Sequence, residues 1–251
     1  MPQHFSESLA TSKIAVILGN NSSAIVNSES IAIADALAIG IDNLGAIATG
    51  NGNDTIIGLA STSADSQAEA TAFASNIAAL STECDSEVVN QIETAISRST
   101  SATIANSKTS TFGIFNSGEI FTGQGDDIIF GLANTRSSSN SQAIAEAESI
   151  ANDIAIATAK AESLAITESY TVAIVNTGAI ATGRGNDIII GIAVNNVAAT
   201  ADAKADAVGI ADNSDAQTDT NSIADTSTVI AIGIDNSGVI KTSQGDDQVI
   251  G

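Results

Sequence analysis

Between Ala143 and Ala165 there are 12 odd-numbered positions, and nine of them are Ala, the others being Ser149, Asp153 and Ser163; no even-numbered position in that span is Ala. A period of two is the strand period, whereas a helix repeats every 3.6 residues. The even positions mix Ile144, Ile150, Ile154, Ile156 and Leu164 with Glu146, Glu148, Lys160 and Glu162. On a helix those charges would scatter over every face and leave no stripe to bury; on a strand, Ala occupies one side and can be buried. The same alternation recurs at Ala32 to Ala38, Ala68 to Ala74 and Ala199 to Ala207. Ala, Glu and Lys are good helix formers, so an Ala-rich helical array joined by turns is the alternative that propensity alone supports.

Four segments align without gaps: IGIDNLGAIATGNGNDTIIG (39–58), FGIFNSGEIFTGQGDDIIFG (112–131), VAIVNTGAIATGRGNDIIIG (172–191) and IGIDNSGVIKTSQGDDQVIG (232–251). Their shared Asn43, Asn116, Asn176 and Asn236 are spaced by 73, 60 and 60 residues, which makes the chain a single repetitive domain, 1–251, built on a unit of about 60. The 13 extra residues of the first interval are assigned to 81–98, where Val88, Val89, Ile92 and Ile96 recur at helical spacing behind Asp85, a candidate N-cap. A short helical or loop insertion is expected there. A 23-residue strand would run ~75 Å at ~3.3 Å per residue, beyond usual strand lengths. The spacers are therefore expected to turn corners, with each unit divided into three coils of about 20 residues. The expected fold is all-β: a parallel β-solenoid with a narrow, Ala-rich core.

Composition agrees with a thin interior. Aromatic residues are 3% of the 251, Trp is absent, and Pro occurs once, at Pro2. Eight Lys and Arg against 29 Asp and Glu give a formal charge of −21. Such a polyanion is a poor match for a phosphate backbone, so nucleic acid is excluded as an expected partner. The longest apolar stretches, such as 188–194, are far shorter than a membrane helix needs, and no membrane insertion is expected. Cys84 stands alone, so no disulfide within the chain is possible. Met1 to Ser12 lacks a basic region leading into an apolar run. Export is therefore expected either by a route without a cleaved leader or with the leader already removed.

The first half of each aligned segment, Ile-x-Asn-x-Gly-x-Ile, resembles the rung repeat of parallel β-helix adhesins and related surface proteins. The resemblance implies turns at the four Asn, with Gly45, Gly118, Gly178 and Gly238 supplying positive φ and Ile41 and Ile47 pointing inward on either side of the corner. The second half, from TGNGNDTII to TSQGDDQVI, resembles the Gly-Gly-x-Gly-x-Asp nonapeptide of haemolysin-type (RTX) calcium-binding repeats. Thr49, Thr122, Thr182 and Thr242 stand where that family has its first Gly, and Ser243 replaces the next Gly in the fourth copy. Carried over residue by residue, the implied Ca²⁺ carboxylates are Asp54, Asp127, Asp187 and Asp247. The implied carbonyl-presenting turns contain Gly50 and Gly52, Gly123 and Gly125, Gly183 and Gly185, and Gly245.

The chemistry suits the ion: Ca²⁺ takes 6 to 8 oxygen ligands, and glycine lets carbonyls converge where a Cβ would intervene. The preceding Asn53, Asp126, Asn186 and Asp246 are oxygen donors too, but a neighbouring strand residue points to the opposite face. With copies 60 residues apart, the remaining oxygens are expected from spacer coils or from another molecule. The competing reading is a plain turn in which Asp caps the backbone.

His4 is the one histidine, which leaves no Ser-His-Asp or Cys-His arrangement and no Cys/His zinc site. Asp126 with Asp127 and Asp246 with Asp247 diverge along a strand, and no phosphate loop is recognisable. The chain is expected not to be an enzyme. The expected role is structural, as an extracellular or cell-surface solenoid rigidified by Ca²⁺. The alternative is a binding module on the same scaffold, an adhesin for glycans or an ice-binding face. Self-association end to end into filaments is expected because the fourth copy stops at Gly251 where the others continue, and because KIAVIL (13–18) could complete another molecule's open coil.

Overall fold

A computed structural model describes residues 3–18, 21–78 and 93–251. In chain order its strands are β1 (Gln3–Leu18), β2 (Asn21–Asn43), β3 (Ala46–Ala48), β4 (Thr55–Ala78), β5 (Thr94–Asn116), β6 (Glu119–Phe121) and β7 (Ile128–Ile150). They continue as β8 (Ile154–Asn176), β9 (Ala179–Gly183), β10 (Ile188–Ile210), β11 (Asn213–Asn236), β12 (Val239–Thr242) and β13 (Gln248–Ile250). Every pairing is parallel, and the sheets are ordered β1-β4-β7-β10-β13, β11-β8-β5-β2 and β12-β9-β6-β3. The fold is an all-β parallel solenoid, and the described residues contain no helix.

One coil is one whole sequence unit. Ile188 lies opposite Ile128, Ala155 opposite Ser214 and Thr55 opposite Ile128, so neighbours in a sheet are 60, 59 or, across the longer first interval, 73 residues apart rather than about 20. The expected three coils per unit are thereby corrected. The coils of β7–β8 and β10–β11 run out along a strand of 23 residues, turn at Ala151-Asn152-Asp153 or Ala211-Asp212, and return along another of 23 or 24. A short third strand and the Gly-Asp turn then lead to the next coil. Strands this long persist because each is hydrogen-bonded along its length to near-identical neighbours, and regular stacking suppresses the twist that limits ordinary strands. The result is a flat coil with two long, closely facing sheets and a triangular tip.

The narrow interior follows from the alternation. Ala143, Ala145 and Ala147 of one sheet pack on Ala157, Ala159 and Ala161 of the other, all at most 3% exposed. Where Ser replaces Ala, its hydroxyl crosses the gap to a main-chain carbonyl. Ser99 donates to the Ala72 carbonyl at 2.8 Å, Ser101 to Ala70 at 2.8 Å, Ser107 to Ala64 at 2.9 Å and Ser163 to Ser141 at 2.7 Å. Those carbonyls already serve the sheet ladders, so the hydroxyl uses their second lone pair and no donor is stranded. The facing sheets also approach closely near the tip, where a Cβ added to Gly58 would stand 2.3 Å from the Gly113 carbonyl oxygen and one added to Gly191 2.1 Å from that of Gly233. Beyond it the cross-section opens around Ile56, Ile114, Ile120, Ile129, Ile174, Ile180 and Ile189, against which Ile41 and Ile47 pack as expected.

Ile77 pairs with Ile150 and Thr94 with Ile154, so the 13 extra residues of the first unit fall between Ile77 and Thr94. The helical insertion expected at 81–98 lies largely outside the described residues. Its last part is corrected: Thr94 to Arg98 open β5, because Ile96 continues an outward row opposite Ile156.

Because the interior has no slack, Ala157→Leu should overpack it and cost about 1–3 kcal/mol, seen as a lowered thermal midpoint. Thr158→Leu, on the outward side of the same strand, should leave the midpoint nearly unchanged. Strand-dominated far-UV circular dichroism should be retained in both.

Candidate cation site at the Gly-Asp turns

Each Gly-Asp turn begins at a Thr at or near the end of the short third strand and finishes at an Asp leading into the next strand. Positive φ among the described residues is confined to Gly50, Gly52, Gly123, Gly125, Gly183, Gly185 and Gly245, with values from 90° to 150°. These seven are the glycines singled out in the sequence as turn-formers, and an L side chain there would be strained. The fourth turn differs because Ser243 replaces a glycine and does not adopt positive φ. The register slips at that point, leaving Thr242 opposite Gly183.

One expectation for the Asn corner is corrected. Gly45, Gly118, Gly178 and Gly238 do not have positive φ. Gly118, Gly178 and Gly238 are glycine for lack of room, since a Cβ on Gly118 would stand 1.9 Å from the Gly45 carbonyl oxygen and one on Gly178 would be 2.0 Å from that of Gly118, whereas a Cβ on Gly45, in the first coil, would meet nothing within 4 Å. The Asn residues do not adopt the left-handed conformation either. Their amides stack instead: Asn43 donates to Asn116 Oδ1, Asn116 to Asn176 Oδ1 and Asn176 to Asn236 Oδ1, each at 2.7 Å. Each of the same three amides also reaches a main-chain carbonyl of the next coil, at Glu119, Ala179 and Val239. The recurrence of Asn at one position per unit was the sequence signal for this ladder.

With one coil per unit, the four Gly-Asp turns lie directly on one another. Gly52 N–H donates to Gln124 O at 2.7 Å, Gly125 N–H to Arg184 O at 2.8 Å and Gly185 N–H to Gln244 O at 2.9 Å. The expectation that spacer coils or another molecule must intervene is overturned, because consecutive motifs are adjacent. The carboxylates form a ladder in which the Asp54 N–H donates to Asp127 Oδ1 at 2.8 Å, Asp127 to Asp187 at 3.0 Å and Asp187 to Asp247 at 3.0 Å. On the outside a second ladder runs the opposite way. The Asp126 N–H donates to Asn53 Oδ1, Asn186 to Asp126 Oδ1 and Asp246 to Asn186 Oδ1, at 2.7 to 2.9 Å. As the strand period requires, Asp126 and Asn186 are exposed while Asp127 and Asp187 are buried.

Asp127 and Asp187 are 0% exposed, and the Oδ2 of each has no hydrogen-bond partner. Thr182 Oγ1 beside this ladder is also buried without one. In the first copy the same need is met internally, where Thr49 Oγ1 donates to Asp54 Oδ2 at 2.7 Å. A carboxylate out of water with a free oxygen is costly, and like charges one coil apart repel. Oxygen atoms with nothing to accept are what a hard cation would use, so the donor set fits Ca²⁺. Among the described residues, no three His, Cys, Asp or Glu side chains converge on one point, and the carboxylates are arranged as a row.

The chain matches no protein-family model, no curated protein and no solved structure with which it was compared. Fold and site geometry therefore carry the functional reading by themselves.

The Asn ladder can be tested apart from any ion. Asn116→Leu takes from Asn43 one of its two acceptors and from Asn176 Oδ1 and the Ala179 carbonyl their amide donor, and should cost about 1–3 kcal/mol by the loss of buried partners. A Tm equal to that of the native chain would show that the amide stack contributes nothing.

Proposed function

We propose that this chain is a structural β-solenoid of the extracellular or cell-surface kind, stabilised by Ca²⁺ at its stacked Gly-Asp turns and assembling end to end. The single observation that carries the reading is the pair of unpartnered, fully buried Oδ2 atoms of Asp127 and Asp187 at turns lying on consecutive coils. Ca²⁺ would supply the positive charge and the ligand field these oxygens lack, with Asp54, Asp127, Asp187 and Asp247 as its carboxylates and the glycine turns as the source of carbonyls. The ion would also offset part of the −21 formal charge. The slipped fourth turn at Ser243 should hold the ion less well than the turns at Gly123 and Gly183. A structural role suits a molecule whose interior is filled by its own side chains in every coil. Calcium concentrations outside cells match the affinity of modest, rigid oxygen sites.

The test is a pair of thermal melts, in EDTA and in millimolar Ca²⁺, with calorimetric titration of Ca²⁺ alone. The expected result is a higher midpoint in Ca²⁺ and a measurable binding heat. Both should be lost in Asp127→Asn/Asp187→Asn, which keeps Oδ1 as an acceptor but removes the charges. Coincident melts and no heat would leave the Gly-Asp turns as turns alone.

A further inference from the structure

The Thr that opens each of the first three Gly-Asp turns stacks on its counterpart in the next coil, and the hydroxyls of the first two point along that stack. Thr49 Oγ1 donates to the Thr122 carbonyl at 3.2 Å, and Thr122 Oγ1 is directed at the Thr182 carbonyl at 3.5 Å. Regular stacking would offer Thr182 the carbonyl of Thr242 in the same way. The fourth turn does not stack regularly. With Ser243 in place of glycine, the register shifts between Lys241 and Thr242, and Thr242 comes to lie opposite Gly183. Among the described residues Thr182 Oγ1 is therefore left without a partner, although the side chain is 0% exposed. A buried hydroxyl in that state is unfavourable, and the same residue type one coil earlier avoids it.

The surroundings of this hydroxyl are what give it a use. The other unpartnered, fully buried oxygens of the stacked turns are Asp127 Oδ2 and Asp187 Oδ2. In the first turn Thr49 Oγ1 lies 2.7 Å from Asp54 Oδ2, so a hydroxyl at this position reaches the free carboxylate oxygen five residues on. Thr182 and Asp187 are the same two positions of the third turn. Asp127 Oδ2 and Asp187 Oδ2 are equivalent atoms one coil apart, about 4.8 Å at ordinary strand spacing, and two Ca–O bonds of ~2.4 Å span that separation. We propose that the Thr182 hydroxyl is a neutral ligand of the Ca²⁺ held by Asp127 and Asp187, and that the register slip at Ser243 frees it for that role. The inference rests on the Ca²⁺ reading above and adds a ligand to its carboxylates and carbonyls. A hydroxyl oxygen brings lone pairs without charge, so it raises the ligand count without adding to the repulsion between the two carboxylates.

Calorimetric titration of the full chain with Ca²⁺ alone, beside thermal melts of the metal-free chain in EDTA, tests the assignment in Thr182→Val, Thr182→Ser and Thr122→Val. Valine has the shape of threonine and no side-chain oxygen. Thr182→Val should weaken Ca²⁺ binding about tenfold or more. Its metal-free midpoint should stay level or rise, because an unsatisfied hydroxyl has been removed. Thr182→Ser, which keeps the hydroxyl, and Thr122→Val, whose native hydroxyl is directed at a carbonyl, should both bind within about twofold of the native chain. Unchanged circular dichroism would exclude misfolding as the cause. The affinity decides: native binding by Thr182→Val, or equal weakening in Thr122→Val, would overturn the assignment. Native affinity with a lowered metal-free midpoint in Thr182→Val would make the hydroxyl a donor to Asp187, as Thr49 is to Asp54, and would overturn it too. A native chain that binds no Ca²⁺ would overturn the Ca²⁺ reading as well, whereas binding that is lost in Asp127→Asn/Asp187→Asn but survives Thr182→Val would overturn this inference alone.

Discussion

The two long sheets lie so close that the positions between them are filled mainly by Ala, Ser and Thr, with Val26 and Asn76 among the few larger side chains, and most other features of the molecule follow from that gap. Serine hydroxyls reach main-chain carbonyls of the opposite sheet, as Ser107 does to Ala64 at 2.9 Å, which requires the two main chains to be near neighbours. Interiors of this kind gain little apolar area per residue but many dispersion contacts, and their serine hydroxyls find main-chain acceptors. They also tolerate little enlargement. At the tip, isoleucines fill the wider space as one buried cluster.

Stacking one sequence unit on the next has an electrostatic consequence. A residue type repeated at one position meets itself in every coil, so amides gain and carboxylates lose. The Asn rows turn this to advantage, each amide satisfying the next. Along the outward row of Asp35, the chain avoids repulsion by inserting Lys108, which pairs with Glu168 at 3.4 Å. The row from Asp54 to Asp247 has no such interruption, although it is buried at its centre. That contrast sets the row of Gly-Asp turns apart from the row of Asp35.

The strand character and the buried Ala face could be read from the sequence because a period of two survives along the whole spacer. Coil length could not, for a related reason. The corner at Ala151-Asn152-Asp153 has neither Gly nor Pro, and the odd positions face inward both before and after it, so the alternation passes through the bend without a break. Only the other end of the coil, punctuated by glycines, was visible. The Gly-Asp residues were legible as turns with carboxylates, and their stacking was hidden because it depends on coil length. The glycines of the Asn corner were assigned to backbone conformation, whereas close approach of the neighbouring coil dictates them; a single sequence does not distinguish those two uses of glycine.

The most direct measurement of a 60-residue flat coil is disulfide trapping in a Cys84→Ser background. Thr100 and Lys160 are opposite one another on adjacent strands, so Thr100→Cys/Lys160→Cys should oxidise readily to an internal cross-link. Asn140 and Lys160, 20 residues apart, lie on different sheets, and Asn140→Cys/Lys160→Cys should not cross-link within one chain. Efficient trapping of the second pair and failure of the first would contradict the flat coil and restore a solenoid of short turns.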